Sequence, residues 1–475
     1  MNATFREDLL QLNDLLQQTA SYAGDFLSRI NELPVSRQLP AFAPAALPEK
    51  GMGAAAALEL FDNRFGDYLT ANAGPRYFGF VTGGVTPAAL AGDWLAGTVD
   101  MNPGDRADVS FQVETETLGL LRQLFSLPDN FLGCFVSGAT MSNFTGLAAA
   151  RQWLGLQQGV NVAELGAGAI KDVKILAATP HSSISKALSM LGLGRNALVL
   201  LPTLPGREAV DINALKAWIS EHPGQPFIFS ASAGTVNTVD FDDIAALAEL
   251  KKEHTFWLHV DAAFGGFAAV SPRYRHLLHG WEQADSITID AHKWLNVPYD
   301  SAMIFTRHPQ LQLAVFQNAG AAYLGDPAAN FNFINYAPEN SRRLRSLPAW
   351  FSLKAYGAEG YRDLVEQNIH LAQQLGEAIS RSSRFKLLAP VRMCVVCFTL
   401  ETEERNRASH VALFLQKLVK RGVVNMTPTT YKGTPGVRAA LVNWRTTEQD
   451  IDKVIAELET VAAEISDLSA IIENN

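Results

Sequence analysis

Between about residues 85 and 310, short apolar runs alternate regularly with segments long enough to form helices. Each run is apolar on both faces, which is typical of a strand in a mostly parallel sheet that is covered on both sides. The pattern therefore predicts a doubly wound α/β domain. The predicted strands are Val173–Ala178, Ala197–Leu201, Pro226–Ala231, Thr255–Val260, Ser286–Ile289 and Ala302–Thr306.

The pattern of apolar residues is different before residue 85 and after about residue 345. Apolar residues at helical spacing predict one helix over residues 4–30 and another over 53–70, with a proline-punctuated extended stretch between them. A long helix over Pro348–Ser382 precedes alternating strand and helix patterns, which indicate a smaller α+β domain. We predict three parts, namely an N-terminal segment of residues 1–85, a large domain of 86–347 and a small C-terminal domain of 348–475.

The composition of the chain indicates which binding partners and which cellular locations are unfavourable for it. Charged residues make up 18% of the chain and hydrophobic residues 48%, which is typical of a compact globular protein. The formal net charge of −9 argues against a nucleic-acid partner, because such a partner favours a basic face. No apolar run is long enough for a membrane helix, and the early acidic residues Glu7 and Asp8 do not fit a signal peptide. We expect a cytoplasmic protein.

Three cysteines form a poor disulfide framework and suit a reducing compartment. Cys394 and Cys397 match a CxxC pattern, but residues 391–400 predict a strand on which the two sulfurs face opposite sides. No second pair of ligands accompanies them. We therefore expect no zinc site and no other metal.

The strongest chemical signal is the segment Ser286–Trp294, in which an apolar strand ends in Asp-Ala-His-Lys. Ligands of open α/β sheets bind beyond the carboxyl ends of the strands. A partly desolvated lysine at such a place can act as an amine nucleophile towards an aldehyde. A lone Lys293 is more simply a surface residue, but three further segments point to the same chemistry.

The second segment, Phe256–Gly266, delivers Asp261 at the end of an apolar strand. A carboxylate there can pair with a protonated pyridine nitrogen, which keeps the ring cationic and able to accept electrons. The alternative is a cap of the next helix. The spacing to Lys293 favours the cofactor interpretation.

The third and fourth segments offer contacts for a phosphate and for a planar ring. Small residues in Ser137–Asn143 open a helix, where free backbone N–H groups bind phosphate, and His292 could add a contact. His181 follows the strand Val173–Ala178 and can stack on a planar cofactor. Each segment alone has a plainer interpretation, as a helix cap and as a structural histidine.

Together these segments resemble the group II amino-acid decarboxylases that depend on pyridoxal 5′-phosphate (PLP), which include the aromatic L-amino-acid and glutamate decarboxylases. The His-Ser-Ser, Asp-Ala-Ala and His-Lys elements carry the resemblance. It covers most of the chain, because Pro75–Phe80, Asn340–Leu347 and Val437–Thr447 also look like the family.

The resemblance implies a type I PLP fold, with a mostly parallel seven-stranded sheet in the large domain and a small α+β C-terminal domain. It also implies decarboxylation of an L-amino acid, a small-molecule substrate, by a homodimer with shared active sites, in which residues 1–85 pack on the partner subunit. The implied site residues are Lys293 as the covalent attachment of PLP, Asp261 at the ring nitrogen, Ala263 and His181 on the two sides of the ring, His181 also at the substrate carboxylate, Ala139, Thr140 and His292 at the phosphate, and Ser232 near the phenolic oxygen.

Two places depart from the family pattern. Relatives commonly have Asn-Pro-His-Lys, where this chain has Asp290 and Ala291 before His292 and Lys293. Many relatives have Glu after the phosphate turn, where this chain has Met141. These differences indicate a divergent branch, so the resemblance does not by itself identify the substrate.

In the family, a mobile loop carries a tyrosine that assists protonation of the product. Here the loop should lie between Ala319 and Asn340, with Tyr336 as the catalytic candidate and Tyr323 as the other tyrosine. A gapless count places Phe333 there instead, and a phenylalanine at that position is associated with oxidative deamination to an aldehyde. Packing of the lid is the simpler role for Phe333.

Substrate size stays open. Phe80, together with Phe78 and Trp94, is available to line an apolar pocket, which mildly favours an aromatic or bulky apolar amino acid. Arg76 and Arg106 could instead meet an acidic side chain, although solvent exposure is the simpler expectation for both. We expect release of the amine and carbon dioxide from such a substrate. The alternatives are decarboxylation of an acidic amino acid of the glutamate or aspartate type, aldehyde-forming oxidative decarboxylation or deamination, and other type I lyase or aminotransferase chemistry.

Overall fold

The central element is a seven-stranded sheet in the order β1-β7-β6-β5-β4-β2-β3. The structure is a computed structural model that describes residues 1–104, 108–318 and 331–473. Only β7 runs antiparallel to its neighbours, so the predicted mostly parallel sheet is confirmed. The strands are β1 (Leu132–Val136), β2 (Ile175–Ala177), β3 (Leu198–Leu200), β4 (Phe227–Ser232), β5 (Phe256–Asp261), β6 (Ser286–Asp290) and β7 (Ala302–Thr306).

The apolar runs predict six of these strands to within about two residues at either end. β4, β5 and β6 are buried at every position, which is why their sequences lack the polar alternation of a half-exposed strand. Successive residues pack on opposite faces of the sheet. Ile228 belongs to one hydrophobic cluster and Phe229 to another, so both faces are covered.

The helices differ little from the sequence prediction. The helix expected over residues 4–30 is two helices that are separated at Gln11, and the one expected over 53–70 ends earlier. The helices are α1 (Ala3–Leu10), α2 (Leu12–Ser28), α3 (Ala54–Phe65), α4 (Pro87–Val99), α5 (Ser110–Leu124), α6 (Ala139–Gln157), α7 (Val162–Leu165), α8 (Ser182–Met190), α9 (Ile212–Glu221), α10 (Ile244–Glu253), α11 (Ala291–Trp294), α12 (Pro309–Phe316), α13 (Ser346–Arg381), α14 (Glu404–Arg421) and α15 (Glu448–Glu473).

A second sheet of four antiparallel strands, in the order β10-β11-β9-β8, lies in the C-terminal region. It confirms the expected α+β character there. The long helix α13 precedes it and is kinked at Gly357, whose φ of 60° is outside the helical range. The predicted domain boundary at residue 347 falls in the first turn of α13, and the domain limits stay predictions. The strands are β8 (Phe385–Leu387), β9 (Val395–Leu400), β10 (Thr427–Tyr431) and β11 (Thr434–Ala440).

The two cysteines of the CxxC pattern lie at β9. Cys394 and Cys397 are buried in different hydrophobic clusters, which is consistent with side chains on opposite sides of a strand. Burial raises the pKa of both thiols. In the part of the chain that the structure describes, no group of His, Cys, Asp and Glu is arranged to hold a metal ion, and no helix has the length and apolar content needed to cross a membrane.

Candidate active site

A cavity of about 530 Å³ opens beyond the carboxyl ends of three neighbouring parallel strands, β4, β5 and β6. Volumes of this size are typical of small-molecule sites. The cavity collects segments that are far apart in the sequence. The predicted site residues that line it are Phe80, Ala139, Thr140, His181, Ser232, Asp261, Ala263, His292 and Lys293.

Lys293 lies in the short helix α11, directly after β6. Its Nζ lies 3.4 Å from Oδ2 of Asp290 and 5.5 Å from the centre of the Phe264 ring. The amine thus lies between a carboxylate and an aromatic face. Gly83 passes close behind it, since a β-carbon there would lie 2.0 Å from the carbonyl oxygen of Lys293. This approach of two backbones requires glycine.

Asp261 ends β5 and lines the cavity from a buried position. Its Oδ2 accepts a hydrogen bond from the side-chain amide of Asn143 at 2.9 Å, and its Oδ1 accepts the Ala263 backbone N–H at 3.2 Å. Donors on two different oxygens fix the plane of the carboxylate. Ala263 follows on the cavity wall, where it brings only a methyl group.

The start of α6 offers a site for an anion. The helix begins at Ala139, and its cap residue Gly138 provides no side-chain hydrogen bond. The Ala139 N–H donates to Oδ2 of Asp290 at 3.2 Å, whereas the Thr140 N–H has no acceptor among the described residues. Free N–H groups at the positive end of a helix favour phosphate. A β-carbon at Gly138 would lie only 3.3 Å from Cε1 of His292, so glycine leaves room for this imidazole.

His181 caps the start of α8 and faces the cavity. Its Nδ1 accepts the Ser183 backbone N–H at 3.2 Å and lies 2.8 Å from Oγ of Ser183. Because a backbone N–H can only donate, Nδ1 carries no proton, and the neutral ring carries its proton on Nε2. Burial lowers the pKa of His181, which keeps the ring neutral at pH 7.

Comparison with known proteins gives this geometry its context. The pyridoxal-dependent decarboxylase conserved domain matches residues 39–401. The chain belongs to this decarboxylase family. It is therefore a PLP-dependent amino-acid decarboxylase.

The relatives differ in their products. The chain is 27% identical over 477 residues to an aromatic-L-amino-acid decarboxylase of Bacillus atrophaeus, with 96% of each chain covered. It is 25% identical over 451 residues to a phenylacetaldehyde synthase of Petunia hybrida, with 88% of each covered. Its fold matches that of the Oryza sativa TDC solved with PLP and tryptamine, at a TM-score of 0.87 and 21% identity over 98% of this chain and 99% of that one.

The cavity of this family member fits PLP by the chemistry of its groups. It holds a lysine amine for an aldehyde, a fixed carboxylate for a protonated ring nitrogen and a helix start for a phosphate. We propose that Lys293, Asp261 and Ala139 with Thr140 hold these three parts. Bound PLP supplies a ring that accepts the electrons left behind when a bond to the substrate carbon breaks.

Ser232 lines the cavity at the end of β4 with its polar groups already paired. Its hydroxyl donates to the Thr179 carbonyl at 3.1 Å, and its backbone N–H donates to Asp242 at 2.8 Å. Burial raises the pKa of Asp242 to about 6. A contact between Ser232 and the phenolic oxygen of PLP stays a prediction.

The cavity wall also contains residues to which the sequence analysis gave no role in the site, among them Asp290, Tyr299 and Arg438. Arg438 is buried on β11 and donates to the carbonyl oxygens of Val236 at 3.1 Å and Phe80 at 3.2 Å. It has no carboxylate partner among the described residues, and burial lowers its pKa. Because β11 belongs to the second sheet, the resemblance of its segment to the family is the one sequence signal that draws attention to it.

Two of the lid candidates, Tyr336 and Phe333, do not line the cavity within one chain. Tyr336 is buried, and the centre of its ring lies 4.7 Å from that of Phe331. Phe333 is also buried and packs 5.2 Å from Phe111, measured between ring centres. The simpler expectation for Phe333, packing, agrees with this arrangement. Tyr323 lies outside the described residues, and the catalytic role of Tyr336 stays a prediction.

Of the three aromatic residues expected to line the pocket, Phe80 does so and is 66% exposed. Phe78 is fully buried in the hydrophobic cluster of the C-terminal sheet. Trp94 is partly exposed on α4 and is not part of the cavity wall.

The expectation of solvent exposure for Arg76 is wrong. Arg76 is buried, and its guanidinium forms an ion pair with Asp450 at 2.8 Å and donates to the carbonyl of Asn31 at 2.7 Å. It ties the N-terminal segment to α15 and does not face the cavity. Arg106 lies outside the described residues.

Proposed function

We propose that this decarboxylase acts on an aromatic or bulky apolar L-amino acid and releases the amine and carbon dioxide. The observation that carries the proposal is the convergence of Lys293, Asp261 and His181 on one cavity from three different elements. An amine nucleophile, a fixed carboxylate and a neutral imidazole are the groups that PLP-assisted decarboxylation needs from a protein.

Each group has a distinct task in this proposal. Lys293 binds the PLP aldehyde, and Asp261 holds the proton on the ring nitrogen. His181 keeps Nδ1 engaged with Ser183, so its Nε2–H is free to donate to the substrate carboxylate. A substrate carboxylate held there would be the group placed for loss as carbon dioxide, and bound PLP would supply the ring that accepts the electrons left behind.

The preference for an apolar substrate rests on the cavity wall. Apolar side chains from several segments face the cavity, and they are Phe80, Met141, Met190, Val236 and Phe264. Arg438 is the buried cation on the same wall, and we propose that it contributes a charged contact to a substrate carboxylate. A second carboxylate, in an acidic substrate, would have to lie against the apolar part of the wall, which is unfavourable.

A second candidate is the aldehyde-forming reaction, in which the amino acid, dioxygen and water give the aldehyde, carbon dioxide, ammonia and hydrogen peroxide. The observation that favours it is the burial of Tyr336 away from the cavity within one chain. The relative from Petunia hybrida is itself a phenylacetaldehyde synthase. If Tyr336 does return the proton to the product carbon, Tyr336→Phe should shift the product from amine to aldehyde.

The deciding experiment presents PLP-loaded protein with single L-amino acids, including tryptophan, tyrosine, phenylalanine, leucine, glutamate and aspartate. Carbon dioxide, amine, aldehyde and hydrogen peroxide are quantified together, with Lys293→Ala as the control for uncatalysed turnover. Equal amounts of carbon dioxide and amine from an aromatic substrate support the first candidate. Aldehyde and peroxide support the second, and release of carbon dioxide from glutamate or aspartate alone contradicts both the apolar preference and the role of the wall.

We also propose a homodimer with shared active sites, to which residues 1–85 contribute. Helices α1, α2 and α3 bury none of their residues, and apolar side chains such as Phe5, Leu9 and Leu16 are exposed on them. Light scattering during gel filtration gives the mass in solution, and Phe5→Glu with Leu9→Glu should shift it towards the monomer. A monomeric wild type contradicts this proposal. Residence in the cytoplasm stays a prediction.

A further inference from the structure

A chain of buried hydrogen bonds leads from the central sheet to the cavity. It starts at Trp257, whose Nε1–H donates to Oγ of Ser286 at 2.9 Å. Oγ of Ser286 lies 2.8 Å from Nδ1 of His259, and Nε2 of His259 lies 2.9 Å from Oδ1 of Asn143. All four side chains are buried, so water does not compete for these bonds.

The chain of hydrogen bonds divides into two branches at Asn143. Its amide nitrogen donates to Oδ2 of Asp261 at 2.9 Å and to Oγ of Ser183 at 3.0 Å. Oγ of Ser183 lies 2.8 Å from Nδ1 of His181. One amide therefore contacts the carboxylate proposed for the ring nitrogen and, through one hydroxyl, the imidazole on the other side of the cavity.

Each bond has a single allowed direction. The Asp261 carboxylate can only accept, so the amide nitrogen of Asn143 faces it and the amide oxygen faces His259. That oxygen can only accept, so Nε2 of His259 carries the proton and Nδ1 accepts the Ser286 hydroxyl. Oγ of Ser183 accepts from Asn143 and uses its own proton towards His181. Reversing one member would leave a buried donor or acceptor unpaired.

We propose that Asn143 and His259 are positioning residues, which orient the Asp261 carboxylate and, through the hydroxyl of Ser183, hold the imidazole of His181 in place. The inference rests on the proposed roles of Asp261 and His181. Neither Asn143 nor His259 lines the cavity, so both act through other residues. Burial lowers the pKa of His259 to about 4, so its ring is neutral at pH 7 while it bridges Ser286 and Asn143.

A merely structural polar network would stabilise the fold without favouring either cavity residue. The branch at Asn143 makes a sharper expectation, because its bond to Asp261 should strengthen PLP binding only while Asp261 keeps its charge. A double-mutant cycle between Asn143 and Asp261 measures that dependence.

The experiment titrates apoprotein with PLP and follows the absorbance of the bound cofactor for Asn143→Leu, Asp261→Asn and the double variant. We expect Asn143→Leu to weaken PLP binding about tenfold or more in the wild-type background, and by less than about threefold beside Asp261→Asn. Thr145→Val is the matched control. It removes a buried hydroxyl from the same helix, whose bond goes only to the Met141 carbonyl at 2.8 Å.

A second pair of variants tests the role of His259, and it does so even if Asn143→Leu does not fold. The side chain of His259→Gln can still donate an N–H to Asn143, whereas that of His259→Leu cannot. We expect His259→Leu to weaken PLP binding and His259→Gln to recover most of the loss. The kcat/KM of His259→Leu should also change its pH profile, since the Ser183 hydroxyl, no longer oriented through Asn143, loses its fixed direction towards His181.

Equal effects of Asn143→Leu in both backgrounds would overturn the inference, as would an equal loss in Thr145→Val or no recovery in His259→Gln. These results are independent of the proposed function, because they read PLP binding by apoprotein. A wild type that binds PLP and releases no carbon dioxide contradicts the proposed function, while the cycle still decides the roles of Asn143 and His259.

Discussion

The buried carboxylate of Asp290 lies 3.4 Å from Nζ of Lys293. The same Oδ2 accepts the Ala139 N–H at the start of α6, and Oδ1 lies 3.1 Å from Nδ1 of His292. Oδ1 has no hydrogen-bond partner among the described residues. Where relatives commonly have an asparagine, this chain has a negative charge that shares its contacts with the proposed phosphate site.

Asp290→Asn should tighten PLP binding. A carboxylate and a phosphate repel each other, and the carboxylate already takes one N–H of the helix start, so removing its charge should raise PLP affinity about tenfold. Titration of apoprotein with PLP measures the change. Asp300→Asn is the control, because that aspartate is nearby but is paired with Arg345 at 3.0 Å and does not line the cavity. Unchanged or weaker binding in Asp290→Asn contradicts this account.

Glu114 and Arg342 form a fully buried ion pair, with one bond of 2.8 Å and one of 2.5 Å. Arg342→Met should lower the free energy of unfolding by about 3–5 kcal/mol, because it leaves the Glu114 charge buried without a partner. Urea unfolding followed by tryptophan fluorescence measures the loss. The double variant Glu114→Met with Arg342→Met should be more stable than Arg342→Met alone. A double variant as unstable as the single one would show that packing, and not the unpaired charge, sets the cost.

The sequence was sufficient for six of the seven strands of the central sheet and for the site residues at the ends of two of them. Runs that are apolar on both faces predict buried parallel strands, and Asp261 and Lys293 follow two of them directly. Strand neighbours in such a sheet bring these ends together. The site residues on local motifs could therefore be found without coordinates.

Residues that reach the site by long-range packing could not be found in this way. Arg438 comes from the second sheet, and apart from the resemblance of its segment to the family nothing in that segment indicates the cavity. The ion pair of Arg76 joins residues 374 positions apart, so its burial is invisible in the sequence. Asn143 lies inside a helix and His259 inside a strand, and at such positions a purely structural role is the simpler expectation. Their connection exists only because β5 and α6 pack together.

Lys293 should be the lysine that bonds to PLP. Lys186 also lines the cavity and is the natural internal control. After borohydride reduction of the PLP-loaded protein, peptide mass spectrometry should find the cofactor on Lys293 and not on Lys186. Lys293→Ala should lose the reduced adduct and lower kcat by several orders of magnitude, whereas Lys186→Ala should keep the adduct. An adduct on Lys186 in the wild type contradicts the assignment.

His259 should make the protein less stable as the pH falls from about 6.5 to 4. Burial lowers its pKa from 6.5 to about 4, so the unfolded chain binds a proton in this range and the folded protein does not. The contribution of neutral His259 to the free energy of unfolding is complete above pH 6.5. It is lost as the pH falls to about 4, and the total loss is about 3 kcal/mol. Urea midpoints at pH 7 and pH 4 should therefore differ more in the wild type than in His259→Gln, which has no group that titrates there. Since every carboxylate is common to both proteins, an equal pH dependence of the two would mean that His259 takes up its proton as readily in the folded protein as in the unfolded chain, and would contradict this account.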